Sequence, residues 1–313
     1  MYLGSHVVLT SGCELRLPSP VEAIDALKPT KKGNVMNKLS TAIAAIASFA
    51  VVTVFSTSAC AGDTLDHVLK TKTLKAAVAT DWAPASFVND KGQLDGYDVD
   101  VTKEIAKRLG VEAQFVTPGW DLIAAGKWEG RWDVGMGQMT PTKARAEKFD
   151  LSNIYFYEQA VAIVHKDSKA TKLSDLDGKR VGGAADTSAL AYAAHTFTPG
   201  WIGAKPMEFK FKPSEIKAYQ SSGIALDDLR LGDGVRLDAI VTDGSFADNA
   251  IKSGYPIKVL GTLFSSPGVV AILKGDKEFS EKIAAAVKSM RDDGTLSKLS
   301  IKWYGSDFTV EKQ

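Results

Sequence analysis

Arg145 closes the segment Thr140-Pro141-Thr142-Lys143-Ala144-Arg145, just after an apolar run and a Thr/Pro/Thr turn. An α/β protein presents a fixed guanidinium to a ligand carboxylate at such a place. The two groups match as a planar, two-bond fork that lysine cannot reproduce. Read alone, Arg145 also fits a surface arginine of a Lys/Glu-rich helix. Other chemistry is poorly supplied. Beyond residue 61 the histidines are His67, His165 and His195, with no His-x-x-x-His pair to hold zinc. Neither a Gly-x-Ser-x-Gly elbow nor a Gly-x-x-x-x-Gly-Lys-Ser/Thr loop occurs. No metal or cofactor is expected.

The elements that must position Arg145 alternate. Residues 74–80 read as a buried strand. Asp98 then caps a helix in which Val101, Ile105 and Leu109 recur every four residues until Gly110. A strand is predicted at 111–116, a helix at 120–128 and a strand at 133–137. The pattern restarts after Ser152, with strands at 160–164, 180–184 and 238–242 and helices at 187–195, 224–231 and 245–251. A strand at 269–273 and helices at 278–292 and 296–303 complete it. Strand–helix–strand repeats of this kind imply a mainly parallel sheet with helices on both faces. Two such units and a C-terminal return predict two lobes: 62–157, 158–262, and 263–313 returning to the first. The chain is expected to cross between them near 157–159 and 261–267. Segment 197–222 exceeds a minimal connection and is read as carrying a hairpin.

The N-terminal part is of another kind. From Met36 a basic start leads into an apolar run over 42–55 and a small-residue end, Ala59-Cys60-Ala61. These are the marks of a secretory signal peptide over 36–61, with cleavage expected after Ala61. The run falls short of the roughly twenty residues a membrane span needs. Residues 1–35 are then read as a mis-called extension, with Met36 the true start. An uncleaved anchor with a cytoplasmic tail, and lipid attachment at Cys60, are the alternatives. Removing 1–61 takes five basic and three acidic side chains, leaving 33 against 34. That near-neutral balance argues against nucleic acid as a partner. Cys13 and Cys60 leave too, which excludes thiol catalysis and disulfides from the exported chain.

Six motifs in order resemble the amino-acid solute-binding proteins of bacterial ABC importers, the family-3 extracellular type. They are Asp81-Trp82-Ala83-Pro84; Asp95-Gly96-Tyr97-Asp98-Val99-Asp100; Trp120-Asp121 ahead of Asp133; Leu176-Asp177-Gly178-Lys179-Arg180-Val181-Gly182; Arg236-Leu237-Asp238-Ala239-Ile240-Val241-Thr242-Asp243; and Lys302-Trp303-Tyr304-Gly305. The resemblance covers about 65–305 and implies a two-lobed, type II periplasmic-binding-protein-like α/β fold. It further implies a monomer in the periplasm that captures a polar or charged L-amino acid and delivers it to the permease of an ABC importer.

Carried over residue by residue, the resemblance assigns Arg145 and Thr140 to the ligand's α-carboxylate. Thr187 and Ser188 add donors from the start of a second-lobe helix, where free N–H groups favour anions. Asp243 receives the α-ammonium group, Gln138 supplies a polar contact, and Trp82 and Trp120 form aromatic walls. Each has a plainer reading. Asp243, Thr187 and Ser188 also suit helix caps, and the tryptophans suit core packing. The chain departs from the family pattern at Ala85-Ser86, before Phe87, and at Asp186, where a glycine is usual. Asp tolerates positive φ, or its charge favours a basic ligand. Two other functions use the same fold: a cyclohexadienyl-dehydratase-like enzyme with Asp186 or Glu158 as proton donor, and a receptor ectodomain, which a membrane span would follow.

Overall fold

The computed structural model describes residues 63–311. The expected extension, the signal peptide, its cleavage after Ala61 and Cys60 lie outside the described residues. The first lobe opens with α1 (Asp63–Thr71) and β1 (Thr73–Ala77), then a small antiparallel sheet of β2 (Asp81–Trp82), β3 (Ser86–Val88) and β4 (Leu94–Asp95). It continues through α2 (Tyr97–Leu109), β5 (Glu112–Val116), α3 (Trp120–Ala125), β6 (Val134–Met139), α4 (Lys143–Ala146) and β7 (Phe149–Asp150). Strand β8 (Ile154–His165) carries the chain into the second lobe. That lobe holds β9 (Arg180–Ala184), α5 (Ser188–Ala193), β10 (Glu215–Tyr219), α6 (Ser222–Leu229), β11 (Ala239–Asp243) and α7 (Gly244–Lys252). Strand β12 (Ile257–Leu273) returns, and α8 (Lys277–Asp292) and α9 (Thr295–Tyr304) pack on the first lobe.

The large sheet runs β10-β9-β11-β8-β12-β6-β1-β5. Its outer pairs, β1 with β5 and β6, and β9 with β10 and β11, are parallel. The long strands β8 and β12 pair antiparallel across both lobes, with Tyr157 opposite Pro267, Glu158 opposite Ser266 and Gln159 opposite Ser265. These two strands are the hinge crossings. Alternation along β8 shows how it serves two cores at once. Ala160, Ala162 and Val164 enter the cluster under α5, while Val161 and Ile163 enter the one under α6 and α7. In the first lobe Leu74, Ala76 and Val78 face one core and Ala77 the other.

Several of the sequence motifs act as staples. Asp133 accepts from the Lys75 amide at 2.8 Å, and Asp238 accepts from the Arg180 amide at 2.8 Å. Each lobe thus ties the start of one parallel strand to its neighbour by the same device. Asp100 accepts from Lys302 at 2.6 Å and from the Trp303 indole at 2.9 Å, joining two motifs 202 residues apart.

Several sequence expectations need correction. Asp98 does not cap α2. Gly96 holds the cap position, and Asp98 sits fully buried in the first turn. The helix expected over 120–128 stops at the left-handed Gly126, freeing Trp128 to fill the core. Segment 197–222 holds a loop and the parallel edge strand β10, not a hairpin. The structure adds α1 and the small β2–β4 sheet to the expected elements. The α1 amides of Thr64 and Leu65 donate to Asp276 at 3.0 and 2.9 Å, and Asp276 also caps α8. No local signal in the sequence announces that long-range cap.

Candidate functional site

A cleft of about 360 Å³ lies between the lobes. Its walls come from the ends of β1, β5, β6, β9, β10 and β11 and the turns that follow, the usual ligand position in open α/β sheets. All eight residues singled out from the sequence border it: Trp82, Trp120, Gln138, Thr140, Arg145, Thr187, Ser188 and Asp243.

Arg145 is delivered by its turn. Thr142 caps α4, its hydroxyl accepting from the Arg145 amide at 3.1 Å. The guanidinium donates through Nη1 to the Thr140 carbonyl at 2.9 Å and through Nη2 to the Asp186 carbonyl at 2.6 Å. The Trp120 ring lies under it, 5.6 Å from centroid to Cζ, and the indole N–H also donates to the Asp186 carbonyl at 3.2 Å. Gly137 makes this possible. A Cβ there would sit 2.6 Å from the Trp120 ring, and its φ of 127° suits only glycine. Burial lowers the Arg145 pKa to about 10, against the pull of Asp186 and Asp243, so the group stays charged at neutral pH.

Asp243 stands at the N-cap position of α7, yet its carboxylate makes no capping bond. No ion pair joins it to Arg145 either, so two opposite charges face one cleft from different lobes without neutralising each other directly. Burial raises the Asp243 pKa, and Arg145 opposes that rise. Behind it, buried Glu158 accepts from the Ser245 hydroxyl and from the Gln159 amide. Burial first and Asp243 second push Glu158 up, so the neighbouring negative charges are not both held at neutral pH.

Thr187 caps α5, accepting from the Leu190 amide at 3.2 Å, and Ser188 begins that helix. The Ser188 hydroxyl meets the Thr140 hydroxyl at 3.0 Å, another link across the cleft. Trp82, carried by the first lobe, packs against the second-lobe cluster under α6. Gln138 borders the cleft, but its amide donates to the Tyr304 hydroxyl at 2.8 Å and lies near the buried Asp98 carboxyl. Asp186 contributes its carbonyl. Its side chain is exposed and does not border the cleft, and its φ of 59° is the left-handed conformation that the missing glycine would have taken. Neither proposed proton donor borders the cleft, since Glu158 lies behind it.

The sequence reading missed Thr117, Gln220, Ser221 and Ser222, which also line the cleft. Ser221 caps α6, so the Ser-Ser-Gly break carried a legible signal. That signal is hard to place because β10, the strand before it, is an exposed edge with four exposed residues of five and no apolar run. Among the described residues no group of three or more His, Cys, Asp and Glu side chains could hold a metal. No described helix is long and apolar enough to cross a membrane.

The profile of bacterial extracellular solute-binding proteins, family 3, matches residues 74–306, and the chain belongs to that family. The L-cystine-binding protein TcyJ of Escherichia coli (strain K12) is 31% identical over 249 residues, spanning 78% of this chain and 87% of that protein. Among solved structures, an ancestral arginine-binding protein bound to arginine is 32% identical, with a TM-score of 0.65, over 75% of this chain and 99% of that one. The ancestral amino acid-binding protein AncCDT-1, a precursor of cyclohexadienyl dehydratase, is 31% identical with a TM-score of 0.66, over 77% and 99%.

Proposed function

We propose that this protein works in the periplasm as a monomer, captures a polar or charged L-amino acid between its lobes, and delivers it to the permease of an ABC importer. One observation carries the reading. Arg145 and Asp243 face a single cleft from opposite lobes, each half-buried and neither paired with the other. A zwitterion supplies both missing partners within a few ångströms. Arg145 and Thr140 take the α-carboxylate, helped by Thr187 and Ser188, and Asp243 takes the α-ammonium group. Trp82 and Trp120 close over the ligand, and Gln138 braces the floor. Asp81, Gln220 and Ser222 line the space left for the side chain, which favours a polar one. The cleft volume suits a small ligand, as pockets of roughly 300 Å³ do. L-Cystine and L-arginine are the first ligands to test, because relatives are named for binding them.

Binding across two lobes exists only when they are closed, so the ligand shifts the population toward closure, which an importer can recognise. The test is a melting screen with the twenty L-amino acids and L-cystine, paired with product analysis. A ligand that binds only the native state stabilises it by about 2.7 kcal/mol at a hundredfold excess over Kd. A stabilising amino acid recovered unchanged supports capture. No shift with any of them counts against it, and conversion of prephenate or arogenate would favour the enzymatic alternative.

A further inference from the structure

We propose that the 197–200 loop is a closure latch that grips the Arg145 turn from the opposite lobe, with Gly200 as the residue that permits it. The inference rests on the two-lobed capture reading and adds a determinant of ligand retention outside the cleft. The Gly200 amide donates to the Pro141 carbonyl at 3.1 Å, and the Lys143 amide donates to the Thr198 carbonyl at 3.2 Å. Thr142 and Pro199 pair between them as an antiparallel bridge. First-lobe and second-lobe backbones therefore share a one-step β ladder, and the turn they share is the one whose Thr142 caps α4 and presents Arg145. None of Pro141, Thr142, Pro199 or Gly200 borders the cleft, so the latch acts on closure without touching ligand.

Two features show that the contact is built. A Cβ on Gly200 would lie 2.6 Å from the Thr142 carbonyl carbon and 2.8 Å from the Lys143 nitrogen, so only glycine lets the backbones approach this closely. The loop is also fixed on its own lobe before it meets the other. Phe197 is buried and stacks on Phe264 at 4.5 Å, its amide donates to Ala191, and Trp201 packs against the same core. A preformed edge loses little conformational freedom on docking. Opening about β8 and β12 separates the two backbones, so the ladder favours the closed form whether or not ligand is present.

Gly200→Ala tests this, because Gly200 lacks a positive φ and alanine burdens only the latched state. With the amino acid that the wild type binds best, dissociation should quicken roughly tenfold, as expected for the loss of one or two hydrogen bonds. Association should hold or quicken, and ligand-free small-angle scattering should show a wider particle. A second variant, Thr142→Cys with Pro199→Cys, exploits a pairing in which Cα atoms lie about 4.5 Å apart, within disulfide range. Oxidation should lock the narrow particle and reduction should release it. Unchanged dissociation and scattering in Gly200→Ala, or failure of the cysteine pair to cross-link, would overturn the latch. If no amino acid binds the wild type, the capture reading fails, and scattering and cross-linking alone decide the latch.

Discussion

Arg145 donates through Nη2 to the main-chain carbonyl of Asp186 at 2.6 Å, a bond from one lobe to the other. A second carbonyl, that of Thr140, holds Nη1 from its own lobe. A guanidinium has five N–H groups, so three remain for a carboxylate. Arg145 is therefore a cross-lobe tie that keeps N–H groups free for the carboxylate proposed above, and closure sets its geometry.

Lysine cannot fill both roles. Arg145→Ala should weaken binding by roughly 2–5 kcal/mol, much of it from leaving a buried carboxylate unpaired. Arg145→Lys keeps a charge but loses the planar fork and should recover only a small part of that loss. Calorimetric titration with the amino acid that best stabilises the wild type checks both. A lysine variant that binds as tightly as the parent would remove the carboxylate role.

Asp243 predicts a pH profile. Burial raises its pKa to about 6, and an ammonium group favours the ionised form. Affinity should therefore hold at neutral pH and decline as pH falls through about 6, because protonation removes the charge the ligand needs. Asp243→Asn should bind weakly and lose most of that dependence. Titrations between pH 5 and 8 distinguish this from an Asp243 that does not meet the ligand, which would leave the profile flat in both proteins.

Much of the cleft lining could be read from the chain because its parts follow strand ends. Thr140 and Arg145 after β6, Thr187 after β9 and Asp243 at the end of β11 all sit where apolar runs stop. What escaped depends on distance in sequence. Nothing local shows that Gln138 turns its amide toward Tyr304, or that Asp186 offers a carbonyl and not its charge. Asp98 looked like a cap by spacing, but the buried hydroxyl of Tyr155, 57 residues on, claims its carboxyl. The Gly200 contact likewise appears only once two lobes are folded and closed.

Trp120 separates stacking from hydrogen bonding. Its ring lies against Arg145 and its indole N–H donates to Asp186 across the cleft. Trp120→Phe keeps an aromatic face and removes the donor, so affinity should fall roughly three- to tenfold, the worth of one net hydrogen bond. Trp120→Ala should cost clearly more by also removing the wall. Equal losses in the two variants would mean that the bond to Asp186 carries the whole effect.

Asp98 places a pH-sensitive charge beneath the cleft floor. Its carboxyl is fully buried, accepts from Tyr155 at 2.8 Å through Oδ1, and leaves Oδ2 without a partner, as is Gln138 Oε1 nearby. Burial raises its pKa to about 7. A carboxyl whose folded pKa exceeds the unfolded value keeps a proton that the unfolded chain releases. Its contribution is full below the ordinary carboxylate range and is lost as pH rises through about 7. The melting temperature should therefore drop between pH 5.5 and 8.5. Asp98→Asn should reduce that slope, leaving a remainder from Glu158, which shifts in the same direction. The asparagine amide can donate where the carboxylate could not, so the variant should gain roughly 1–3 kcal/mol at pH 8, the cost of an unpartnered buried polar group. A variant less stable than its parent at pH 8 would mean that the first turn of α2 holds Asp98 ionised.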